Sequence, residues 1–281
     1  MKIIRSVREM QRTSRELVAK KKLIGLVPTM GFLHEGHLSL IRRAKKEADT
    51  VITSIFVNPT QFAPNEDFEK YPRDEKGDVK KIAAAGGDIV FIPKASDLYP
   101  PGFQTFVNVE QLSLPLEGTI RPGHFKGVAT IVTKLYNITR PDVVVFGMKD
   151  FQQAMILQRM TTELDYPIKY IIAPTVREKD GLAMSSRNKY LDEKARKEAL
   201  ALYYSLMTGK EMVRAGVVDT PEIEKEMRDV ILANCPSAQI GYIAFTDTDK
   251  LEPAPRVVKG TVCSMAVRVH GVRLIDNMKL A

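Results

Sequence analysis

Apolar positions in the first two-thirds of the chain come in short continuous runs separated by stretches of helical spacing. Residues 23–30 (LIGLVPTM) form one such run and predict a buried strand; Gly31 supplies a turn, and residues 37–48 repeat apolar side chains at helical intervals. Residues 50–57 are β-branched and stop at Asn58-Pro59, which predicts a second strand. After a polar segment come a short helix over 78–85 and a buried strand over 88–93. A helix over 127–137, a strand over 142–146 ending at Gly147, a helix over 151–164 and a strand over 168–172 follow. Strands that are apolar throughout and alternate with amphipathic helices predict βαβ units and a parallel sheet covered on both faces.

Beyond Pro174 the rhythm changes. Two helical stretches (192–215 and 220–233) precede strands over 240–245, 261–269 and 272–275, so the remainder reads as a smaller C-terminal α+β domain. The expected division is 1–176 and 177–281, joined through Arg177-Glu-Lys-Asp-Gly181.

Composition narrows the function. The 281 residues are 44% hydrophobic and 27% charged, an ordinary globular balance with no run long enough to span a bilayer. The N-terminal residues mix charge with apolar side chains and lack the core of a signal peptide. Cys235 and Cys263 are far apart, which argues against a disulfide framework or a zinc site and fits the cytoplasm. A net charge of +8 suits anionic ligands. The basic residues are interleaved with acids, as in Lys194-Ala-Arg-Lys-Glu198, which describes solvated helix faces rather than a nucleic-acid surface.

The residues with chemistry follow the predicted strand ends, where open α/β sheets bind ligands. His34-Glu-Gly-His37 follows the first strand; helical spacing puts both imidazoles at one helix start, whose free amides and dipole favour phosphate. Asn58-Pro-Thr-Gln61 follows the second strand. Gly147-Met-Lys-Asp150, then Gln152 and Gln153, follow the strand over 142–146, and Pro174-Thr-Val176 leads on to Met184-Ser-Ser-Arg187. Taken singly, Gln61 reads as an exposed amide, Asp150 as a helix cap and Arg121-Pro-Gly-His124 as a surface turn. Together the strand ends offer His, Lys, Arg, amide and hydroxyl donors with no paired carboxylates, no nucleophile–base pair and no zinc-ligand spacing. That inventory suits stabilising a polyphosphate.

The run Pro28-Thr-Met-Gly-Phe-Leu-His-Glu-Gly-His37 resembles the nucleotide-binding motif of the pantoate–β-alanine ligase family. Ser54–Phe62, Tyr71-Pro-Arg73, Arg121–Phe125, Lys149-Asp-Phe-Gln-Gln153, Asp180–Asn188 and Arg273-Leu-Ile-Asp-Asn277 extend the resemblance over essentially the whole chain. It implies a Rossmann-like, doubly wound first domain that binds ATP and pantoate, and condensation of pantoate with β-alanine. ATP would be split to AMP and pyrophosphate through a pantoyl adenylate. It also implies a homodimer. On this likeness Met30, Gly31, Phe32, Leu33, His34, Glu35, Gly36 and His37 hold the ATP phosphates, with His37 the proton donor or charge stabiliser. Gln61 binds pantoate and then β-alanine, and Gln153 holds pantoate from the other side. Gly147, Met148, Lys149 and Asp150 line the ribose and phosphates, Val176 lies against the adenine, and Met184, Ser185, Ser186 and Arg187 close over the triphosphate. The catalytic set is then His34, His37, Lys149 and Arg187. Mg2+ would bridge phosphate oxygens with few protein ligands; Asp78 is an indirect candidate, and no direct metal ligand is assigned. Met148, His270 and Asp74 depart from the family pattern, and His270 reads as a surface difference. A different adenylyltransferase of the same superfamily, moving AMP onto a phosphorylated vitamin or lipid headgroup, would lack Gln61, Gln153 and the Met-Ser-Ser-Arg segment; an RNA-binding relative of a synthetase core would need a contiguous basic face or an appended anticodon-binding domain.

Overall fold

The computed structural model describes residues 1–64 and 66–281. Two compact units emerge: Met1–Gly147 with Ile156–Pro174, and Met148–Met155 with Thr175–Ala281.

The first unit is built on six parallel strands, β1 (Lys2–Ile4), β2 (Ile24–Thr29), β3 (Thr50–Ile55), β4 (Ile89–Phe91), β5 (Val143–Gly147) and β6 (Lys169–Ala173), in the order β1-β4-β3-β2-β5-β6. From β2 the chain winds outward through β3 and β4 and then returns to add β5 and β6 on the opposite side. The strand order therefore reverses between β2 and β5, and their carboxyl ends carry Met30–His37 and Gly147. Alternate side chains feed two cores. Ile24, Leu26 and Ile52 pack with Val128, Leu135 and Tyr136 of α6 (His124–Thr139), and Met10 of α1 (Val7–Ala19) joins them. Val27, Val51, Val143 and Val145 pack with Ile41 and Ala44 of α2 (Glu35–Lys45) and Ile82 of α3 (Glu75–Ala84). Burial on both faces is why these strands read as continuous apolar runs.

The sequence reading assigns no element to the first twenty residues, yet β1 and α1 occupy them. Met10 and Ser14 of α1 are buried and Val7 and Leu17 pack partly buried beside them, a stripe interleaved with charged residues. Ser6 caps the helix, its hydroxyl accepting from the Glu9 N–H at 3.4 Å. Two four-residue helices, α4 (Ala95–Leu98) and α5 (Glu117–Ile120), also lie outside the sequence expectations, being too short to show a period. Helix α6 starts three residues earlier than expected, at His124.

The second unit contains the start of α7 (Phe151–Glu163) and an antiparallel sheet of β7 (Gln239–Thr246), β8 (Val262–Val269) and β9 (Val272–Lys279). The helical stretch expected over 192–215 is divided at Ala199 into α8 (Glu193–Glu198) and α9 (Leu200–Arg214). Helix α9 pairs with α10 (Thr220–Asn234). Leu202, Leu206, Met227 and Ile231 of these helices share a core with Ile243, Met265 and Val267 of the sheet. Cys235 and Cys263 are both buried and unbonded; the Cys235 Sγ donates to Glu198 Oε2 at 3.3 Å. His270 is an exposed surface residue, as expected, and its Nε2 meets the same carboxylate oxygen at 2.8 Å.

Helix α6 reaches the chain after β3 at one point. A Cβ on Gly127 would lie 2.3 Å from the Thr60 carbonyl oxygen, inside the 3-10 turn Pro59–Gln61. Gly127→Ala must therefore push helix and turn apart, and overpacking of this kind destabilises by about 1–3 kcal/mol. A urea titration giving an unchanged midpoint would show that the approach is loose.

Candidate active site

The loop that carries the histidine pair begins where β2 runs out. Gly31 and Phe32 both take left-handed backbone angles (φ of 85° and 51°), which Gly31 adopts freely and phenylalanine does not. The loop is held in that shape by side chains of α3 and the end of β2. Asp78, 1% exposed on α3, accepts from the Phe32 N–H through Oδ2 and from the Leu33 N–H through Oδ1, each at 2.7 Å. Burial raises the Asp78 carboxyl above its ordinary range, and the two amides and Lys81 pull it back in part. The Lys81 ammonium in turn donates to the Leu33 carbonyl at 2.8 Å, and the Gly31 N–H donates to Thr29 Oγ1 at 3.2 Å. Asp78, taken from the sequence as an indirect magnesium candidate, thus holds the loop with both of its oxygens.

His34 is the N-cap residue of α2, and His37 lies in its first turn. Their ring centroids are 4.1 Å apart, and the His34 N–H donates to His37 Nδ1 at 3.3 Å. That bond makes Nδ1 an acceptor, so the neutral ring carries its proton on Nε2, on the far edge from the cap. Glu35, in the same turn, is tied up by Arg42.

Gln61 is buried beside this loop. Its Nε2 lies 3.1 Å from Met30 Sδ, and its Oε1 accepts from Asn58 Nδ2 at 3.1 Å; Asn58 also donates to the Gly127 carbonyl. Behind Gln61 stands a network that in the sequence reads as a surface turn. His124 is buried, and its Nδ1 donates to the Gln61 carbonyl at 2.7 Å. Its Nε2 is then an acceptor and faces Arg121 Nη1 at 3.1 Å, while Arg121 grips Glu66 at 2.6 and 2.8 Å. Desolvation first, and the neighbouring Arg121 charge second, push His124 down to about 4. A polar Pro-Gly context hides this histidine in the sequence; its position at the first residue of α6 is a tertiary fact.

The remaining predicted residues belong, apart from Gly147 at the end of β5, to the second unit. Met148–Asp150 form a 3-10 turn leading directly into α7, on which Gln152 is buried and Gln153 half-buried. Lys149 Nζ lies 3.5 Å from Asp150 Oδ1. Val176 and Met184 are joined where the Met184 N–H donates to the Val176 carbonyl at 3.0 Å, next to a bridge between Arg177 and Ala183. Ser185 caps the 3-10 turn Ser186–Tyr190, its Oγ accepting from the Arg187 N–H at 3.3 Å. Asn188 fastens that turn to the Ala183 carbonyl and to Glu178, each at 3.1 Å. Arg177 is not an open linker residue: it forms a two-pronged ion pair with the buried Asp276 of β9, at 2.6 and 2.9 Å. The structure thus brings Met30, His34, His37 and Gln61 together in one unit and Met148, Lys149, Val176 and Met184 into the fabric of the other.

His124 is neutral when folded and titrates near 6.5 when unfolded, so the unfolded chain binds the extra proton between those values. Stability is then complete above pH about 6.5 and falls as pH drops toward 4, by up to about 3 kcal/mol. His124→Asn, which keeps a donor for the Gln61 carbonyl but does not titrate, should flatten that part of the curve. Parallel urea melts at pH 7 and pH 5 check this, and equal losses in both proteins would remove His124 as the cause.

A family model described as pantoate-beta-alanine ligase matches residues 2–279. The pantothenate synthetase of Thermosipho africanus is 48% identical over 278 residues, covering 99% of each chain. The crystal structure of pantothenate synthetase from Thermus thermophilus superposes with a TM-score of 0.93 at 39% identity, covering 100% of this chain and 99% of that one. The pantoate-beta-alanine ligase of Francisella tularensis, crystallised with beta-gamma ATP and beta-alanine, gives a TM-score of 0.80 at 34% identity, covering 99% of this chain and 97% of that one.

Proposed function

The chain belongs to the pantoate–β-alanine ligase family, and on that premise we propose how its residues divide the ATP-dependent condensation of pantoate with β-alanine. The observation that carries the assignment is the loop after β2. A loop with two left-handed residues, clamped at Phe32 and Leu33 by a buried carboxylate, leads into a helix whose N-cap and first turn present two histidines at the strand-order reversal.

The first step is in-line attack of the pantoate carboxylate on the α-phosphorus of ATP, forming pantoyl adenylate and releasing pyrophosphate. Negative charge grows on the phosphoryl oxygens and on the leaving group, and donors fixed there before the reaction lower the barrier. The loop Met30–Leu33 and the start of α2 (His34, Glu35, Gly36, His37) cradle the phosphates, with the His37 Nε2–H as hydrogen-bond donor. His34, Lys149 and Arg187 add positive or donor groups. Gly147–Asp150 take the ribose side, Val176 the adenine, and Met184–Arg187 the triphosphate. Gln61 holds pantoate, with Gln153 as its second amide. In the second step the β-alanine amine attacks the activated acyl carbon and AMP leaves; holding both reactants in register supplies much of this rate. Imidazole, ammonium and backbone amide donors fit a triphosphate; Mg2+ bound with it would need few protein ligands and would supply charge neutralisation.

Gln61 suits a carboxylate or hydroxyl ligand because Asn58 occupies its Oε1 and turns the amide so that Nε2 faces Met30 Sδ, a weak acceptor that a better one displaces. The same likeness motivates a homodimer and a cytoplasmic home; no helix among the described residues is long and apolar enough to cross a membrane.

The reading is tested by ATP–pyrophosphate exchange. Exchange should require pantoate, and β-alanine should convert it to net release of AMP; exchange driven by other amino acids and not by pantoate would sink it. His37→Ala should lower pantoate-dependent exchange by roughly 10²-fold or more with its melting temperature retained. Gln61→Ala should chiefly raise the KM for pantoate, by about tenfold for a lost buried hydrogen bond to a charged group. Unchanged pantoate kinetics in a folded variant would cancel that role.

A further inference from the structure

The C-terminal run Arg273-Leu-Ile-Asp-Asn277 has no part in the roles assigned above, yet it ends in an unusual arrangement. Asn277 lies on β9 and is 5% exposed. Its Nδ2 donates to two successive carbonyls, those of Met148 at 2.9 Å and Lys149 at 2.8 Å. Both partners are carbonyl oxygens, so chemistry alone fixes the orientation of the amide. The asparagine is itself held on three sides. Its N–H donates to Asp276 Oδ1 at 2.7 Å, its carbonyl accepts from Arg177 Nη2 at 3.3 Å, and Arg177 closes the circuit through its ion pair with Asp276. The Arg177 guanidinium is braced in turn over the Tyr203 ring, 5.1 Å from its centroid.

The geometry points to Asn277 as a positioning residue for ATP activation: it fixes the backbone of the Met148–Asp150 turn so that Lys149 is presented to the phosphates. The inference rests on the assignment of Lys149 made above. Three observations support it. Two successive carbonyls of the turn that opens α7 fall on one rigid donor. The donor sits in a regular strand of a three-stranded sheet, paired through Ser264, rather than in a loop. And Asn277 Oδ1 is buried without a partner among the described residues. Leaving such an atom unmatched is unfavourable, and an asparagine kept only for sheet packing has no reason to tolerate it. Placement by about an ångström governs phosphoryl-transfer rates, so the anchor beneath Lys149 should influence catalysis without touching substrate.

The test is a double-mutant cycle on the full-length protein. Asn277→Leu, close in shape and without donors, should lower kcat/KM for ATP in pantoate-dependent pyrophosphate exchange by about tenfold, while the KM for β-alanine in the complete reaction stays within about twofold. With Lys149 already changed to Ala, the same substitution should add less than about twofold, because nothing remains to be positioned. Asn277→Ser, which keeps one donor, should fall between; where Asn277→Leu fails to melt cooperatively, the cycle is read with the serine. Equal losses on both backgrounds, or a β-alanine KM that rises in step with that for ATP, would reduce Asn277 to a structural residue. Full exchange by Lys149→Ala alone would instead remove the lysine assignment on which the inference stands.

Discussion

A buried carboxylate holds the first unit's loop in working shape. The Asp78 carboxylate oxygens collect the amides of Phe32 and Leu33, one of which belongs to a residue with unfavourable left-handed angles. Such a conformation persists only where its surroundings over-determine it. Here the surroundings are α3, whose packing of Ile82 against the sheet fixes Asp78, and Lys81, which ties the far side of the loop to the same helix. The start of α2, and with it the two histidines, inherits its direction from that clamp.

The same logic recurs at each element of the proposed site. A side chain assigned to the site is short of freedom because its backbone is seized by a buried polar group from another element. Gln61 is held by the neutral imidazole of His124, and the Met148–Lys149 turn by the amide of Asn277. In each case the holding group is neutral or is balanced by a partner. Glu66 balances Arg121, and Asp276 balances Arg177. Arg121 and Arg177 can be drawn in from solvent at tolerable expense because each has a hydrogen-bonded partner of opposite sign.

Much of this was legible in the sequence. The continuous apolar strands announced a sheet covered on both faces, and β2, β3, β5 and β6 were located to within a residue or two of their ends. The histidine pair could be placed at a helix start because Gly31 and the apolar run before it mark a strand end. What escaped was whatever depends on distant partners. The interleaved stripe of α1 acquires meaning only when Met10 meets the sheet, and His124 looks like loop polarity until α6 is laid against the Pro59–Gln61 turn. Local spacing reports which face of an element is apolar; it does not report which polar residue will be turned inward to hold another element's backbone.

The two sulfhydryl groups have a practical consequence. The chain contains no others, both belong to the second unit, and burial pushes both thiols above their ordinary range, Cys263 furthest. Thiolate is the reactive form, so in the folded protein neither sulfur is an attractive target for alkylating reagents or oxidants. Modification at these positions becomes a clock for transient opening of the smaller unit, and local opening of the loop after β2 is invisible to it.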